Sequence, residues 1–290
     1  MKIAAAAYTL DVLSSWAQYE DKIAAWVHSA DADLLVFPEY GAMELATLAG
    51  LEIAADLEAS LHAVSDRIPD ADALHQRLAR ETGKHILAAS APIASKGERP
   101  VNRARLHSPD GQIGVQDKQI MTRFEAEVWD IVPGGGLTLF DTELGKIGIL
   151  ICYDSEFPLL GRALSEADIL LIPSVTEALS GYSRVHIGAR ARALENQCVT
   201  AMASIVGTAD WSEAVDVSVG AGGIYGPPDT GFPADGVLAQ GQINTPGWTI
   251  AEVDLSKIAT ARAEGTVLNR RDWAAQLGRD AAAPVMRLRP

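Results

Sequence analysis

Three side chains in this sequence have the types and settings for nucleophilic chemistry. Cys152 ends the apolar run KIGILI (146–151) and is followed by YDSEFP (153–158), a pattern that predicts strand, turn and helix. A thiol at such a turn lies near the N–H donors of a helix start, which favour negative charge. They lower a thiol's pKa and can bind a developing oxyanion. Glu39 closes the apolar run LLVFPE (34–39), and Lys118 follows the strand GVQD (114–117). A carboxylate, an ammonium and a thiol, each just beyond a predicted strand, can converge on one rim of a sheet. Taken singly they have plain alternatives: a small buried hydrophobe, a solvated turn and a surface lysine. Together they suit covalent catalysis, because a thiol with a free pKa of about 8.5 needs a neighbouring base or positive charge. The histidines at 28, 62, 75, 85, 107 and 186 fall outside these blocks, so a Cys–His dyad is not supported. None has HxH or HExxH spacing, and no metal or other cofactor is expected. The second thiol, Cys198, lies in an apolar context and is expected to be inert.

The elements that must hold these groups alternate between strand and helix patterns. Strands are predicted at 3–8, 33–37, 86–91, 104–107, 169–173, 199–206, 220–225 and 249–253. Val12, Trp16, Tyr19, Ile23 and Val27 recur at helical spacing, and Leu74 and Leu78 predict a helix that stops before Gly83. Further helices are predicted at 157–167, 183–197 and 254–263. Ser108-Pro109-Asp110-Gly111 is a turn signal that makes 101–118 an antiparallel hairpin. This mixture predicts an α/β fold of sheets covered by helices. No linker divides the chain, so residues 1–290 are expected to form one domain, with the Arg-rich stretch 266–290 as a C-terminal arm.

The chain resembles the nitrilase (carbon–nitrogen hydrolase) superfamily, amidase-like branch. The resemblance runs from Lys2 to about Trp273. It rests on FPE (37–39), Lys118 after the PDG turn, Glu127 six residues before Pro133-Gly134, and GILICYDSEFP (148–158). RARALENQ (190–197) and EVDL (252–255) reinforce it. The resemblance implies a four-layer α-β-β-α sandwich and a hydrolase of non-peptide carbon–nitrogen bonds. It implies that Glu39 takes the thiol proton, protonates the leaving amine and later activates water. Lys118 and the backbone N–H of Tyr153 would stabilise the oxyanion. Glu127 is expected to orient Lys118 and substrate, and is preferred to Glu125 because its spacing to Pro133-Gly134 fits the family pattern. Tyr40, Trp129, Glu156, Glu177, Tyr182 and Arg184 lie in segments that can line a pocket. Asp154 is expected to fix the turn, and the helix carrying Arg192 and Glu195 to pack behind the site. Family members generally pair through the helix after the nucleophile and a helix downstream, here 157–167 and 183–197, so a homodimer or larger homo-oligomer is expected. Glu156 replaces an Arg frequent in the family, and Tyr153-Asp154 is amidase-like where nitrilases more often carry Trp-Glu. A small amide is therefore the expected substrate, neutral or cationic rather than anionic. Nitriles and N-carbamoyl compounds are the enzymatic alternatives.

Composition narrows the setting. A net charge of −14 argues against nucleic acid and anionic membranes, since both need a basic face. No apolar run approaches the ~20 residues of a membrane span, and the N-terminus reads as a strand rather than a signal peptide. Two cysteines do not make a disulfide framework, which favours the cytoplasm. A catalytically silent scaffold would have no use for Glu39, Lys118 and Cys152 together. A redox sensor would want a resolving thiol near Cys152.

Overall fold

The computed structural model describes residues 1–94, 98–279 and 281–288. Strand β1 (Lys2–Tyr8) is followed by α1 (Trp16–Ser29), whose N-cap Ser15 accepts from the Gln18 N–H. Val12 lies outside that helix, exposed on the approach to it. The chain continues through β2 (Leu34–Val36), a 3-10 stretch (Gly41–Ala49) and α2 (Leu51–Ala55). The long α3 (Leu57–Thr82) then ends at Gly83, left-handed at φ 69° as its C-cap requires. Next come β3 (His85–Ile93), the hairpin β4 (Val101–His107) and β5 (Ile113–Asp117), and α4 (Arg123–Glu127). The second half begins with β6 (Leu139–Thr142), β7 (Gly145–Ile149), α5 (Pro158–Ala163) and β8 (Ile169–Ser174). It continues through α6 (Leu179–Asn196), β9 (Val199–Ile205), β10 (Gly207–Thr208) and β11 (Val217–Ser218). It closes with β12 (Gly223–Tyr225), β13 (Val237–Gln240), β14 (Gly247–Glu252), α7 (Leu255–Glu264) and α8 (Asn269–Asp272).

The predicted strands form, several of them shorter than expected, and the predicted helix at 157–167 stops at Ala163. Hydrogen bonding links the main strands in the order β5-β4-β3-β2-β1-β9-β8-β7-β6. The path forks where β1 meets β9. Residues 2–7 of β1 pair with β14, and only Ala7 and Tyr8 reach β9, opposite Ser204 and Ile205. On the other side of the fork β9 pairs with β12, which pairs with β13. Two six-stranded sheets thus face each other from a shared seam. They approach so closely there that a Cβ on Gly222 would lie 2.4 Å from the Ala5 carbonyl oxygen. Helix α3 covers β3 and β4 on one outer face, and α6 covers β8 and β9 on the other. This is the four-layer α/β arrangement. Among the described residues, no helix is long and apolar enough to cross a membrane.

The strand directions set where chemistry can occur. β1, β2 and β3 are parallel, as are β7, β8 and β9, and β1 runs parallel to β9. Two antiparallel steps return β5 to the direction of β3. The C-terminal ends of β2, β5, β7 and β8 therefore open on the same edge, and these are the ends followed by Glu39, Lys118, Cys152 and Val175.

Of the C-terminal stretch, the first part packs. α8 lies against α6, the Arg270 Nε donates to the Ser165 carbonyl oxygen at 2.9 Å, and the Arg162 guanidinium sits 5.0 Å from the Trp273 ring centre. Residues 277–279 and 281–288 have no helix or strand, and Leu277, Val285, Met286 and Leu288 are exposed. Residues 280, 289 and 290 of the expected arm lie outside the described residues.

Candidate active site

The turn after β7 carries the thiol in a conformation that few side chains adopt. Cys152 has φ +48°, the left-handed region, and opens a 3-10 turn over Cys152–Glu156. The Asp154 carboxylate clamps this turn to the segment after Lys118. It accepts from the N–H groups of Ile120 at 2.9 Å, Gln119 at 3.2 Å and Ile151 at 3.3 Å. Burial pushes its carboxyl up to about 6 against the pull of those donors. From behind, the Arg192 Nη1 donates to the Ser155 carbonyl oxygen at 2.9 Å while its Nη2 meets Glu195 at 2.8 Å. Helix α6 reaches this turn at Gly188, where a Cβ would stand 2.9 Å from the Ser155 oxygen. The N–H groups that open such a turn have no carbonyl within it to meet, which leaves the Tyr153 amide available to a ligand.

Glu39 and Lys118 are both buried beside this turn. Glu39 Oε1 accepts from the Lys118 Nζ at 2.7 Å and the Asn102 Nδ2 at 2.9 Å, and Oε2 accepts from the Val175 N–H at 3.1 Å. Burial pushes the Glu39 carboxyl up to about 7, with Lys118 opposing and Glu125 adding to the shift. Burial also opposes charge on Lys118, but Glu39 and Glu125 outweigh it and hold the ammonium above its ordinary range. The Cys152 thiol is raised by burial and by the Glu39 charge, and its Sγ donates to the Val175 carbonyl oxygen at 3.5 Å. At rest the arrangement is a thiol beside a carboxyl poised near neutrality, with a fixed positive charge adjacent.

The second carboxylate is Glu125, and the expectation for Glu127 is corrected. Glu125 Oε2 accepts from the Lys118 Nζ at 2.6 Å, and its Oε1 from the Tyr40 hydroxyl at 2.8 Å. Burial works against its charge, but Lys118 and the Thr122 hydrogen bonds together outweigh it and hold the carboxyl below its usual range. Glu127 is exposed and its carboxylate accepts from Arg123 at 2.7 Å, one turn back on the same helix. Two residues turn a helix by about 200°, so only one of the two acids can face inward. Thr122 settles which. Its Oγ1 accepts from the Glu125 N–H while Glu125 Oε2 accepts from the Thr122 N–H, a capping box that orients α4. The sequence Thr122-Arg123-Phe124-Glu125 carries that signal.

These groups lie at the floor of an open cavity of 410 Å³. Tyr40 lies there with φ +53°, its N–H donating to the Ser90 Oγ at 3.0 Å and its ring 4.8 Å from that of Trp129. Trp129 backs Tyr40, its Nε1 bonded to the Leu57 carbonyl oxygen at 3.0 Å. Tyr153, Glu156, Glu177 and Arg184 line the cavity. Tyr182 does not. Its hydroxyl accepts from the Gln240 Nε2 at 2.8 Å, on the face of α6 turned toward β13. The rim is not purely acidic either: Arg184 Nε lies 3.3 Å from Glu156, and Arg123 also lines the cavity. Sequence reasoning missed Asn102 and Val175, which bond to Glu39, and Ala214, Val215 and Val217, which line the cavity. Cys198 is buried away from the site, its thiol pushed by burial up to about 12.

The carbon–nitrogen hydrolase family model matches residues 2–263. "Probable hydrolase YhcX" of Bacillus subtilis is 31% identical over 94% of this chain and 53% of its own length. A deaminated glutathione amidase of Yersinia enterocolitica is 35% identical over 45% of this chain and 44% of its own. The chain thus spans about half the length of the curated relatives it matches. A carbon–nitrogen hydrolase from Helicobacter pylori shares the fold, with a TM-score of 0.73 at 19% identity over 94% of this chain and 93% of that one.

Proposed function

We propose, because the chain belongs to the carbon–nitrogen hydrolase family, that it hydrolyses small amides through an acyl-thioester on Cys152. The observation that carries this is the Glu39–Lys118 contact of 2.7 Å at the floor of the cavity that Cys152 also lines. Glu39 takes the Cys152 proton as sulfur bonds to the amide carbon. The carbonyl oxygen becomes an oxyanion that Lys118 and the Tyr153 N–H stabilise. Protonated Glu39 then gives its proton to the nitrogen, the C–N bond breaks and the amine leaves. Glu39 next accepts a proton from water as the water oxygen attacks the thioester carbon. The C–S bond breaks, Glu39 returns the proton to the departing sulfur, and the carboxylic acid leaves with Cys152 again a free thiol. The amidase names among relatives support an amide over a nitrile. No cofactor enters the sequence of steps. Free thiols at Cys152 and Cys198 suit a cytoplasmic setting. The test is ammonia release across amides, N-carbamoyl compounds and nitriles, with intact-mass detection of an adduct on Cys152. Turnover of nitriles alone would replace this reading.

Glu125→Gln should lower kcat/KM about 10²-fold, because Lys118 and Tyr40 lose the charge that positions them. Glu127→Gln should stay within about twofold, since it removes one exposed helical ion pair. Steady-state kinetics decide between them, and the reverse ranking would reject Glu125 as the orienting acid.

Assembly follows from the same helices. Leu159 on α5 and Ile187 and Leu194 on α6 are exposed on helices that pack together. An apolar face of this kind suits a second copy of itself across a two-fold axis. Light scattering at micromolar concentration should give the mass of a dimer or larger, and a single-chain mass there would exclude it.

A further inference from the structure

We infer that Asn102 is a positioning residue that holds Glu39 and Glu125 on either side of Lys118. This rests on the reading of Glu39 as the proton acceptor for Cys152. Asn102 is the second residue of β4, paired with Pro92 near the end of β3, and so stands on the edge where the site forms. Its backbone oxygen accepts from the Lys118 N–H at 2.9 Å. Its side chain is fully buried, with Nδ2 2.9 Å from Glu39 Oε1 and 3.5 Å from Glu125 Oε1. One residue therefore contacts both carboxylates through its side chain and the Lys118 backbone through its own carbonyl.

The direction of the amide is set by those acceptors. Turned over, it would aim Oδ1 at two carboxylates. As it stands, Oδ1 is buried and has no partner among the described residues. A buried acceptor without a partner lowers stability. Ala104 and Leu106, in the same strand phase, are apolar and buried, so an apolar residue at 102 would spare the fold that loss. The amide is thus matched to the carboxylates rather than to the strand.

A donor to a carboxylate favours its charged form. Facing Glu39 are Lys118 from the end of β5, Glu125 from α4, Cys152 from the turn after β7, and the adjacent Tyr40. Asn102 joins Lys118 and the Val175 N–H on the side of ionisation, against burial and the Glu125 charge. Removing its donor leaves Glu39 protonated to higher pH and unable to take the thiol proton.

The test follows Cys152 alkylation by iodoacetamide from about pH 5 to about pH 9 by intact mass, which needs no substrate. In the wild-type protein the rate should rise with pH through about 7, where Glu39 ionises. Asn102→Leu should move that rise up by about one pH unit, a tenfold loss of rate on its acidic side, with Tm unchanged or higher. Asn102→Asp keeps the shape, adds a third carboxylate and should move it further. It also keeps the question decidable if the leucine variant does not fold. A lowered Tm with the rise unmoved in both variants would make Asn102 merely structural and overturn the inference. A wild-type rate without an acidic rise, or labelling first at Cys198, would instead remove the Glu39–Cys152 assignment on which the inference stands.

Discussion

Replacing Cys152 with alanine is expected to reduce amide turnover about 10⁶-fold, the scale on which loss of a catalytic nucleophile is felt. The thiol sits at the floor of the cavity, and no other side chain lining it is a thiol or carries a comparable activation. The change should hardly touch the fold. The sulfur's hydrogen bond to the Val175 oxygen is long at 3.5 Å, and the left-handed backbone at 152 bears equally on both residues. Ammonia release should vanish while the melting curve stays near wild type. The same substitution at Cys198 should leave turnover intact, since that thiol is buried away from the cavity. Turnover by Cys152→Ala above about one part in a hundred would show that another group attacks the substrate.

Lys118→Met should cost both activity and stability, in a way that depends on pH. The ammonium is the partner shared by Glu39 and Glu125, at 2.7 and 2.6 Å. In the proposed mechanism its removal takes away an oxyanion donor, a loss of about 10²–10³ in kcat. It also leaves two buried carboxylates without their cation, and breaking a buried pair in this way destabilises by about 3–5 kcal/mol. The sign of the pH effect follows from proton binding. Glu39 already binds its proton more tightly folded than unfolded, rising from 4.5 to about 7. A carboxyl raised in this way contributes stability at low pH that is lost as pH climbs from its unfolded value through its folded one. Without Lys118, Glu39 is raised further and Glu125 loses the charge that holds it below its usual range, so the deficit should grow from about pH 5 to about pH 8. Urea unfolding of both proteins across that range measures it. A deficit that shrinks with rising pH would mean that Lys118 does not hold these groups ionised.

The places where reading the sequence fell short have a common physical cause. Glu125 and Glu127 are two residues apart, and which one faces inward depends on the rotation of a five-residue helix. Spacing to Pro133-Gly134 says nothing about that rotation, whereas the Thr122 capping box does. Tyr182 sits on α6 among residues that do line the cavity, yet points at Gln240, because successive helical positions face different neighbours. Asn102 gave a weaker signal: a polar residue in phase with Ala104 and Leu106 on an inward strand face. The rim charges look one-sided in sequence because Arg184 and Glu156 are 28 residues apart, and only the packing of α6 on the nucleophile turn pairs them.

From the sequence alone, the alternation of strand and helix patterns and the polar residues just past each strand determined that Glu39, Lys118 and Cys152 each stand beyond a strand end where they could meet. Strand period and turn chemistry are local, so they survive without knowledge of the fold. The tertiary structure decided the rest. It brought two sheets together at the β1–β9 seam, selected Glu125 as the partner of Lys118, and placed Asn102 between the two acids. Each of those outcomes depends on contacts between segments far apart in the chain, such as the 63 residues separating Glu39 from Asn102. Burial of the whole group then raised Glu39 toward neutrality, and burial is a property that no local run of residues possesses.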